Sequence, residues 1–279
     1  MIDFVKMHGL GNDFMVINAI HKPIEFTSLQ IQRLANRRLG VGFDQLLILE
    51  ASKTPEEDFY CRIFNADGSS AEQCGNGVRC VGRLMIDLGL CKEDAMIRLR
   101  TDGGILELQG LSDGNMRVNM GPPTFDPSQI PVLLSEEKLS HQHAVLGRTI
   151  TFSVVNMGNP HAVMQVEKIR EQDVALLGHA LGADPIFPEG VNVGFSEVVN
   201  PQTILLQVYE RGAGETLACG SGACAAVVAG RRLGLLQERV RVEQPGGSLT
   251  IEWQGPGQPV WMTGPAVAVY KGVLCDQIV

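Results

Sequence analysis

Apolar positions along the chain follow two rhythms, and each rhythm appears twice. Near the start, Phe4-Val5-Lys6-Met7 and Asp13-Phe14-Met15-Val16-Ile17 read as strands around a turn, His8-Gly9-Leu10-Gly11-Asn12, which leaves Asn12 at a strand edge. Ser28 is a good N-cap for a helix with Ile31, Leu34, Ala35 and Leu39 on one face, Arg37 and Arg38 in its last turn and Gly40 beyond. Residues 46–49 and the alternation Phe59, Cys61, Ile63 predict strands. A second helix follows Cys74: Val78, Val81, Met85 and Leu88 share one face, Arg79, Arg83 and Asp87 mark another, and Gly89 stops it. Short alternating strands come next at 97–100, 105–108 and 116–120.

The second half repeats this order. A short helix over 174–181, ended by Gly182, matches the Ser28 helix, and strands at 240–243, 249–253 and 260–263 match the three just named. Between them, Thr216-Leu217-Ala218-Cys219-Gly220-Ser221-Gly222-Ala223-Cys224 echoes Ala71-Glu72-Gln73-Cys74-Gly75-Asn76-Gly77-Val78-Arg79-Cys80. Residues 223–229 are apolar on every side, so this helix is expected to be buried all round, with Arg231 and Arg232 emerging at its end.

The register of the echo is regular. Cys74 and Cys219, Gly75 and Gly220, Gly77 and Gly222, and Gly89 and Gly234 are each 145 positions apart. Upstream, Gly11-Asn12 and Gly158-Asn159, and Gln45 and Asn192, differ by 147; downstream, Gly121-Pro122 and Gly264-Pro265 differ by 143. A period this long exceeds the roughly 20–50 residues of a solenoid unit, so it implies two whole domains of one architecture, mostly strand around one buried helix. Pro122, Pro123, Pro127 and Pro131 mark a linker over 121–131. The strand-like tail 266–270 has no counterpart in the first repeat and is expected to cross back and complete the first domain's sheet. The expected domains are therefore 1–120 plus 265–279, and 121–264.

Composition narrows the functional classes. With 279 residues, 44% of them hydrophobic, the chain can bury a large core, yet no apolar run approaches the ~20 residues of a membrane span. The first residues have no signal-peptide layout, so the cytoplasm is the expected location. A formal charge of −8 without a basic block argues against nucleic acid as a partner. Seven cysteines, an odd number with no C-x-x-C pair, argue against a disulfide framework, a zinc site and thioredoxin chemistry. Cys61, Cys80, Cys91, Cys224 and Cys275 read as small buried hydrophobes.

Cys74 and Cys219 do not. Each precedes a Gly-polar-Gly triplet where a loop becomes a helix, and the first helical turn presents unpaired N–H groups and positive potential that lower a thiol's pKa and hold a carboxylate. Inverting a stereocentre needs a base on one face of a carbon and an acid on the other, so duplicated thiols suit an epimerase or racemase. The N–H groups of Gly75, Asn76, Gly220 and Ser221 would hold a substrate carboxylate as charge moves onto it. Asn12 with Asn159 and Gln45 with Asn192 form paired polar positions, whereas Asn65 aligns with Glu210. A symmetric scaffold with an asymmetric rim suits a substrate with two different ends. No ligand cluster for a metal is visible, and two thiols suffice for proton transfer, so no cofactor and no metal is expected.

At these residues the sequence resembles the diaminopimelate epimerases. The shared motifs are Gly11-Asn12-Asp13-Phe14, Phe64-Asn65-Ala66-Asp67-Gly68-Ser69, Cys74-Gly75-Asn76-Gly77, Gly158-Asn159-Pro160-His161, Asn192-Val193, Tyr209-Glu210-Arg211-Gly212 and Ala218-Cys219-Gly220-Ser221-Gly222. The resemblance implies an α/β (α+β) fold of two similar, duplicated domains, each a curved mixed sheet wrapped around a central helix, with the active site in the cleft between them. It implies Cys74 and Cys219 as acid–base groups, Glu210 and His161 assisting them, and Asn65, Asn159, Asn192 and Arg211 holding the distal end of diaminopimelate. It further implies a homodimer, with Tyr270 as a candidate interface residue. Two alternatives stand beside it: a proline or hydroxyproline racemase, whose imino acid substrate gives Arg211 and the polar rim nothing to read, and a thiol oxidoreductase, against which the absence of C-x-x-C speaks.

Overall fold

The computed structural model describes residues 1–275; residues 276–279 of the expected tail lie outside the described residues. The chain forms two compact units, one of Met1–Asn119 with the chain from Gly264 onward, the other of Met120–Thr263. The elements of the first run β1 (Ile2–Gly9), β2 (Asn12–Asn18), α1 (Ser28–Ala35), β3 (Gln45–Ala51), β4 (Phe59–Asn65), β5 (Ser70–Ala71), α2 (Gly75–Asp87), β6 (Met96–Thr101), β7 (Gly104–Gly110) and β8 (Met116–Asn119). Those of the second are β9 (His141–Val145), β10 (Arg148–Asn156), β11 (Pro160–Gln165), α3 (Val174–Gly182), β12 (Asn192–Asn200), β13 (Thr203–Glu210), β14 (Gly214–Thr216), α4 (Gly220–Arg232), β15 (Arg239–Gln244), β16 (Gly247–Trp253) and β17 (Val260–Gly264). Strand β18 (Val267–Leu274) belongs to the first unit.

Within each unit the pairing sequence is the same. In the first, β18, β1 and β2 pair antiparallel, β2 and β3 parallel, β3 and β4 antiparallel, β4 and β6 parallel, and β6, β7 and β8 antiparallel. In the second, β9, β10 and β11 pair antiparallel, β11 and β12 parallel, β12 and β13 antiparallel, β13 and β15 parallel, and β15, β16 and β17 antiparallel. Every parallel pair needs a crossover, and the four helices supply them. Helices α1 and α3 lie in the first crossover of their units, α2 and α4 in the second.

These mixed sheets are covered on both faces, which explains the uninterrupted apolar runs in their central strands. In the first unit Met15, Ile17, Leu46 and Ile48 pack with Ile31 and Leu34 of α1. The alternate residue Leu47 lies against α2, where a Cβ on Gly77 would stand 3.2 Å from it. In the second, Phe152, Phe195 and Phe187 pack with Leu177 and Leu181 of α3. Residues Ala223 to Ala229 of α4 are at most 1% exposed, as their all-round apolar pattern requires.

Several local expectations need correction. The N-cap of α1 is Thr27, one residue before Ser28, because Thr27 forms a reciprocal capping box with Gln30. That helix ends at Ala35, a turn early: the Asn36 side chain accepts the N–H groups of Arg38 and Leu39 and turns the chain aside, leaving Leu39 84% exposed. The proline-rich stretch is folded into the second unit, with Thr124 bridged to Asn156. The tail does have a counterpart: β9 stands after β8 as β18 stands after β17, and each pairs with the first strand of a unit. The face of α2 marked by Arg79 is no solvent face, for Arg79 is 0% exposed. Among the cysteines, Cys61, Cys80 and Cys224 are buried, Cys91 is partly exposed and Cys275 is exposed.

β18 is clamped on β1 through a glycine. Gly272 pairs with Phe4, and the Phe4 ring occupies the space a side chain at 272 would need, with Cζ 2.5 Å from a Cβ built there. Gly272→Ala should therefore cost about 1–3 kcal/mol, the usual penalty of overpacking. It should lower the urea midpoint and speed hydrogen exchange along 267–274; unchanged exchange there would show that the ring does not hold the strand.

Candidate active site

Cys74 caps α2 and Cys219 caps α4, each in extended backbone (φ −147°, ψ 105° and φ −117°, ψ 114°). Each sulfur accepts the N–H of the third helical residue, Gly77 or Gly222, at 3.4 Å. A serine or aspartate oxygen ordinarily fills this place. The strands β5 and β14, paired at Ile63–Ala71 and Val208–Thr216, lead into each cap. Glycine at the third position matters for space: a Cβ on Gly222 would meet the Cys219 sulfur at 3.2 Å. The first helical turn leaves N–H groups without acceptors inside the helix, so both thiols stand beside anion-holding donors.

In the first unit Asn12 Oδ1 lies 3.7 Å from Cys74 Sγ and accepts from Asn76 Nδ2 at 3.3 Å. Asn12 Nδ2 in turn donates to Asp44 at 2.9 Å. This brings Cys74, Asn12 and Asn76 together. Gln45 and Asn65, opposite each other on β3 and β4, form a second pair, Gln45 Nε2 donating to Asn65 Oδ1 at 3.0 Å. Asn65 also donates to Ser69, whereas Gln45 Oε1 is shut from solvent with no protein donor.

In the second unit the Cys219 thiol lies 3.7 Å from Ser221 Oγ and faces the Glu210 carboxylate, which accepts from Thr216. The Cys219 N–H donates to Gln244 Oε1 at 2.9 Å. His161 and Asn192 are register partners on β11 and β12. His161 Nε2 meets Asn159 Oδ1 at 2.9 Å and so carries the proton there. Asn192 spends its amide on backbone, donating to Pro160 O at 3.1 Å and accepting the Arg211 N–H at 3.0 Å. Arg211 is exposed and its guanidinium reaches Glu189 O at 3.0 Å.

Burial dominates the protonation states. It pushes the Cys219 thiol well above its usual range, and the Glu210 charge adds to this, against the opposing Gly222 N–H and Ser221 hydroxyl. Cys219 is thus a thiol at neutral pH. Burial, helped by the Arg211 charge, brings His161 down to about 3, so its imidazole is neutral. Cys80 is pushed up to about 12 by burial and Cys61 is raised further, which leaves both inert as acids. Three residues at the site escaped the sequence reading. Asp44 and Thr216 are neighbours of motif residues and could have been found as polar side chains beside them; Gln244, in a plain hairpin, carries no local signal.

Each of the two units thus carries a thiol that caps a helix beside anion-holding N–H groups. Solved structures agree on the fold: a hydroxyproline epimerase from Agrobacterium vitis superposes with a TM-score of 0.70 at 16% identity, over 97% of this chain and 91% of that one. A predicted epimerase from Pseudomonas aeruginosa gives 0.68 at 16% identity, over 98% and 99%. The diaminopimelate epimerase family model matches residues 4–126 and 153–269. The chain is 53% identical over 275 residues to the diaminopimelate epimerase of Coxiella burnetii, covering 99% of both, and 50% identical over 272 residues to that of Pseudomonas aeruginosa, covering 98% of both. It belongs to the diaminopimelate epimerase family.

The neutral, buried His161 has a measurable signature. Between pH 6.5 and about 3 the unfolded chain binds a proton at this position that the folded chain does not, so stability falls as pH drops through that window. At ~1.4 kcal/mol per unit, the loss from this group reaches about 2 kcal/mol by pH 5. His161→Gln should flatten that part of the profile in denaturant titrations at pH 7 and 5. Equal slopes in both proteins would mean that His161 is not held neutral.

Proposed function

We propose that this chain interconverts LL-2,6-diaminopimelate and meso-diaminopimelate without a cofactor, in bacterial lysine and peptidoglycan precursor synthesis, with Cys74 and Cys219 as the two acid–base groups. The observation that carries this reading is the matched placement of the two sulfurs, each capping a helix through the same N–H at the same distance. The family relationship supports the substrate.

The reaction removes the hydrogen alpha to a carboxylate from one face and returns one to the other. One cysteine, as thiolate, takes the hydrogen as a proton; the other, as thiol, gives its proton to the opposite face, and the pair ends in exchanged states. Burial and Glu210 hold Cys219 as the donor at the outset. The carboxylate receives the charge that develops on the carbon and is held by the N–H groups of Gly75, Asn76, Gly220 and Ser221, each donor lowering the barrier by about 3 kcal/mol. Neutral His161, with its Nε2 proton committed to Asn159, offers Nδ1 as an acceptor to the substrate's ammonium group. Asn65, Asn159 and Arg211 bind the distal amino acid end. Asn192 acts on that end by fixing the Arg211 backbone, since its own amide is already committed. Gln45, whose Nε2 donates to Asn65 Oδ1, holds the Asn65 amide in place for the substrate.

The same reading assigns a homodimer through β18, where Val267, Val269, Tyr270 and Val273 are 42–56% exposed along one strand. Tyr270→Asp should shift the sedimentation coefficient to that of a single chain; an unaltered profile would remove Tyr270 from the contact.

Substituting either cysteine by serine, whose hydroxyl is a far weaker acid, should reduce epimerisation by several orders of magnitude. Each variant keeps one thiol. Residual exchange of the α-hydrogen with deuterated water should favour one stereoisomer in Cys74→Ser and the other in Cys219→Ser, and the wild-type rate should survive dialysis against EDTA. Near wild-type epimerisation by either variant would rule out the two-thiol mechanism.

A further inference from the structure

In a capping box the bonds run both ways: the N-cap side chain takes the N–H of the third helical residue, and that residue's side chain turns back to accept the N-cap's own N–H. Helix α1 closes the box by itself. Thr27 Oγ1 accepts the Gln30 N–H at 3.3 Å, and Gln30 Oε1 accepts the Thr27 N–H at 2.7 Å. Helix α4 has no such residue. Its third position is Gly222, where a Cβ would stand 3.2 Å from the Cys219 sulfur and 3.0 Å from Val208, so there is no side chain to send back. Cys219 is 4% exposed, and an N–H buried this far needs a protein acceptor. Gln244 supplies it from outside the helix, Oε1 accepting at 2.9 Å. The box is complete but split, one half in α4 and the other at the end of β15.

The hairpin between β15 and β16 grips the same segment at a second point. Gly246 donates its N–H to Leu217 O at 2.7 Å, so the backbone is held on both sides of Ala218, and Pro245 stiffens the chain between the two grips. The first unit repeats one of them: Gly103 donates to Glu72 O at 2.9 Å. The other it replaces. The counterpart of Gln244, 143 residues earlier, is Thr101, whose hydroxyl turns to Gly104 O of its own hairpin at 3.4 Å. Gln244 itself is 8% exposed, and its Nε2 is shut from solvent with no acceptor among the described residues. Turning the amide over would set Nε2 against the Cys219 N–H, donor to donor, so its orientation is fixed. A buried amide with one end unpaired costs stability, and what the other end holds is the backbone of the thiol.

We infer that Gln244 is a positioning residue for Cys219, closing the split cap from the hairpin so that the sulfur keeps its place as its proton leaves and returns. This rests on Cys219 being an acid–base group of the reaction. A thiol that must meet one carbon tolerates little play, since a displacement of about 1 Å can slow a reaction roughly a hundredfold. With Leu217 O and the Cys219 N–H both held, the sulfur's position is left to one side-chain torsion, and the Gly222 N–H fixes that. Gln244 therefore serves one thiol of the two.

Two variants separate the bond from the bulk of the side chain. Gln244→Met keeps the length and removes the acceptor, whereas Gln244→Glu keeps an oxygen for the N–H in either protonation state. The readouts are kcat and KM with diaminopimelate, exchange of the α-hydrogen with deuterated water from each stereoisomer, and hydrogen exchange of the cysteine amides in protein made with isotope-labelled cysteine. Gln244→Met should lower kcat about tenfold with KM within about twofold, the pattern of a group that serves the chemical step. The ratio of exchange from the two stereoisomers should move toward that of Cys219→Ser and away from that of Cys74→Ser. Protection of the Cys219 amide should fall about tenfold while that of Cys61 and Cys80 holds. Gln244→Glu should recover most of the kcat and the wild-type ratio. It should also shift the Cys219 amide resonance more than any other cysteine's, a reading that stands even if Gln244→Met does not fold. A Cys219 resonance that stays in place there would overturn the inference. So would a folded Gln244→Met protein with the wild-type exchange ratio, since a defect in the scaffold slows both thiols alike. Lost protection at Cys219 with kcat unchanged would overturn it too, and would leave intact the two-thiol reading, which the cysteine variants test by themselves.

Discussion

The bond from the third helical N–H to a cysteine sulfur is the contact on which the candidate site depends, and it occurs once in each unit. A helix must end its ladder of hydrogen bonds somewhere, and its first turn is short of acceptors. Placing a thiol in that gap satisfies one N–H, points the sulfur along the helix axis toward the positive end of the dipole, and leaves the neighbouring donors for a ligand. Each central helix is also the body on which its sheet packs, so the thiol is held by the hydrophobic core of its unit. Its placement is as rigid as that core.

Much of this was legible in the sequence because the fold is written twice. A single Cys-Gly-Asn-Gly would pass for a turn, but the same triplet 145 residues later, inside matching apolar rhythms, sets helix starts, strand order and candidate thiols together. Central strands and the wholly apolar α4 followed from periodicity. The misreadings share a cause: local patterns were trusted where distant partners decide. Asn36 ends α1 with its side chain although Leu39 keeps the apolar register. Arg79 falls on the polar face of α2 by periodicity, yet carbonyls from its own first turn and from Pro265 draw it inside. Gln244 holds the Cys219 backbone from a hairpin with no motif of its own. The partner of β18 was legible only as far as its sheet, since β9 matches it in position and pairing rather than in sequence.

Duplication alone would give two equivalent half-sites, and the departures from equivalence fall into two kinds. Around Cys219 a carboxylate and near-complete burial hold the proton on; beside Cys74 stands the amide of Asn12. At the rim, Gln45 pairs with Asn65 in one unit, whereas Asn192 in the other is turned inward to hold the backbone of Arg211. The first kind of difference lies beside the thiols and the second in the polar pairs of the neighbouring strands. Each is achieved by one or two side chains on an unchanged backbone plan.

The pairing of β18 with β1 has a consequence for how the polypeptide is made. Ile2 and Leu274 are register partners, so β1 leaves the ribosome long before its outer neighbour β18 exists. The second unit, by contrast, has β9 to β17 in one continuous stretch and can close its sheet as soon as that stretch has emerged. Synthesis from the N-terminus thus completes the units in reverse of their order in the chain. Until then the nascent β1 shows an open edge, and a chain halted between Gly264 and Val267 would release one unit with its strands complete and one unsealed, an open target for aggregation or proteolysis.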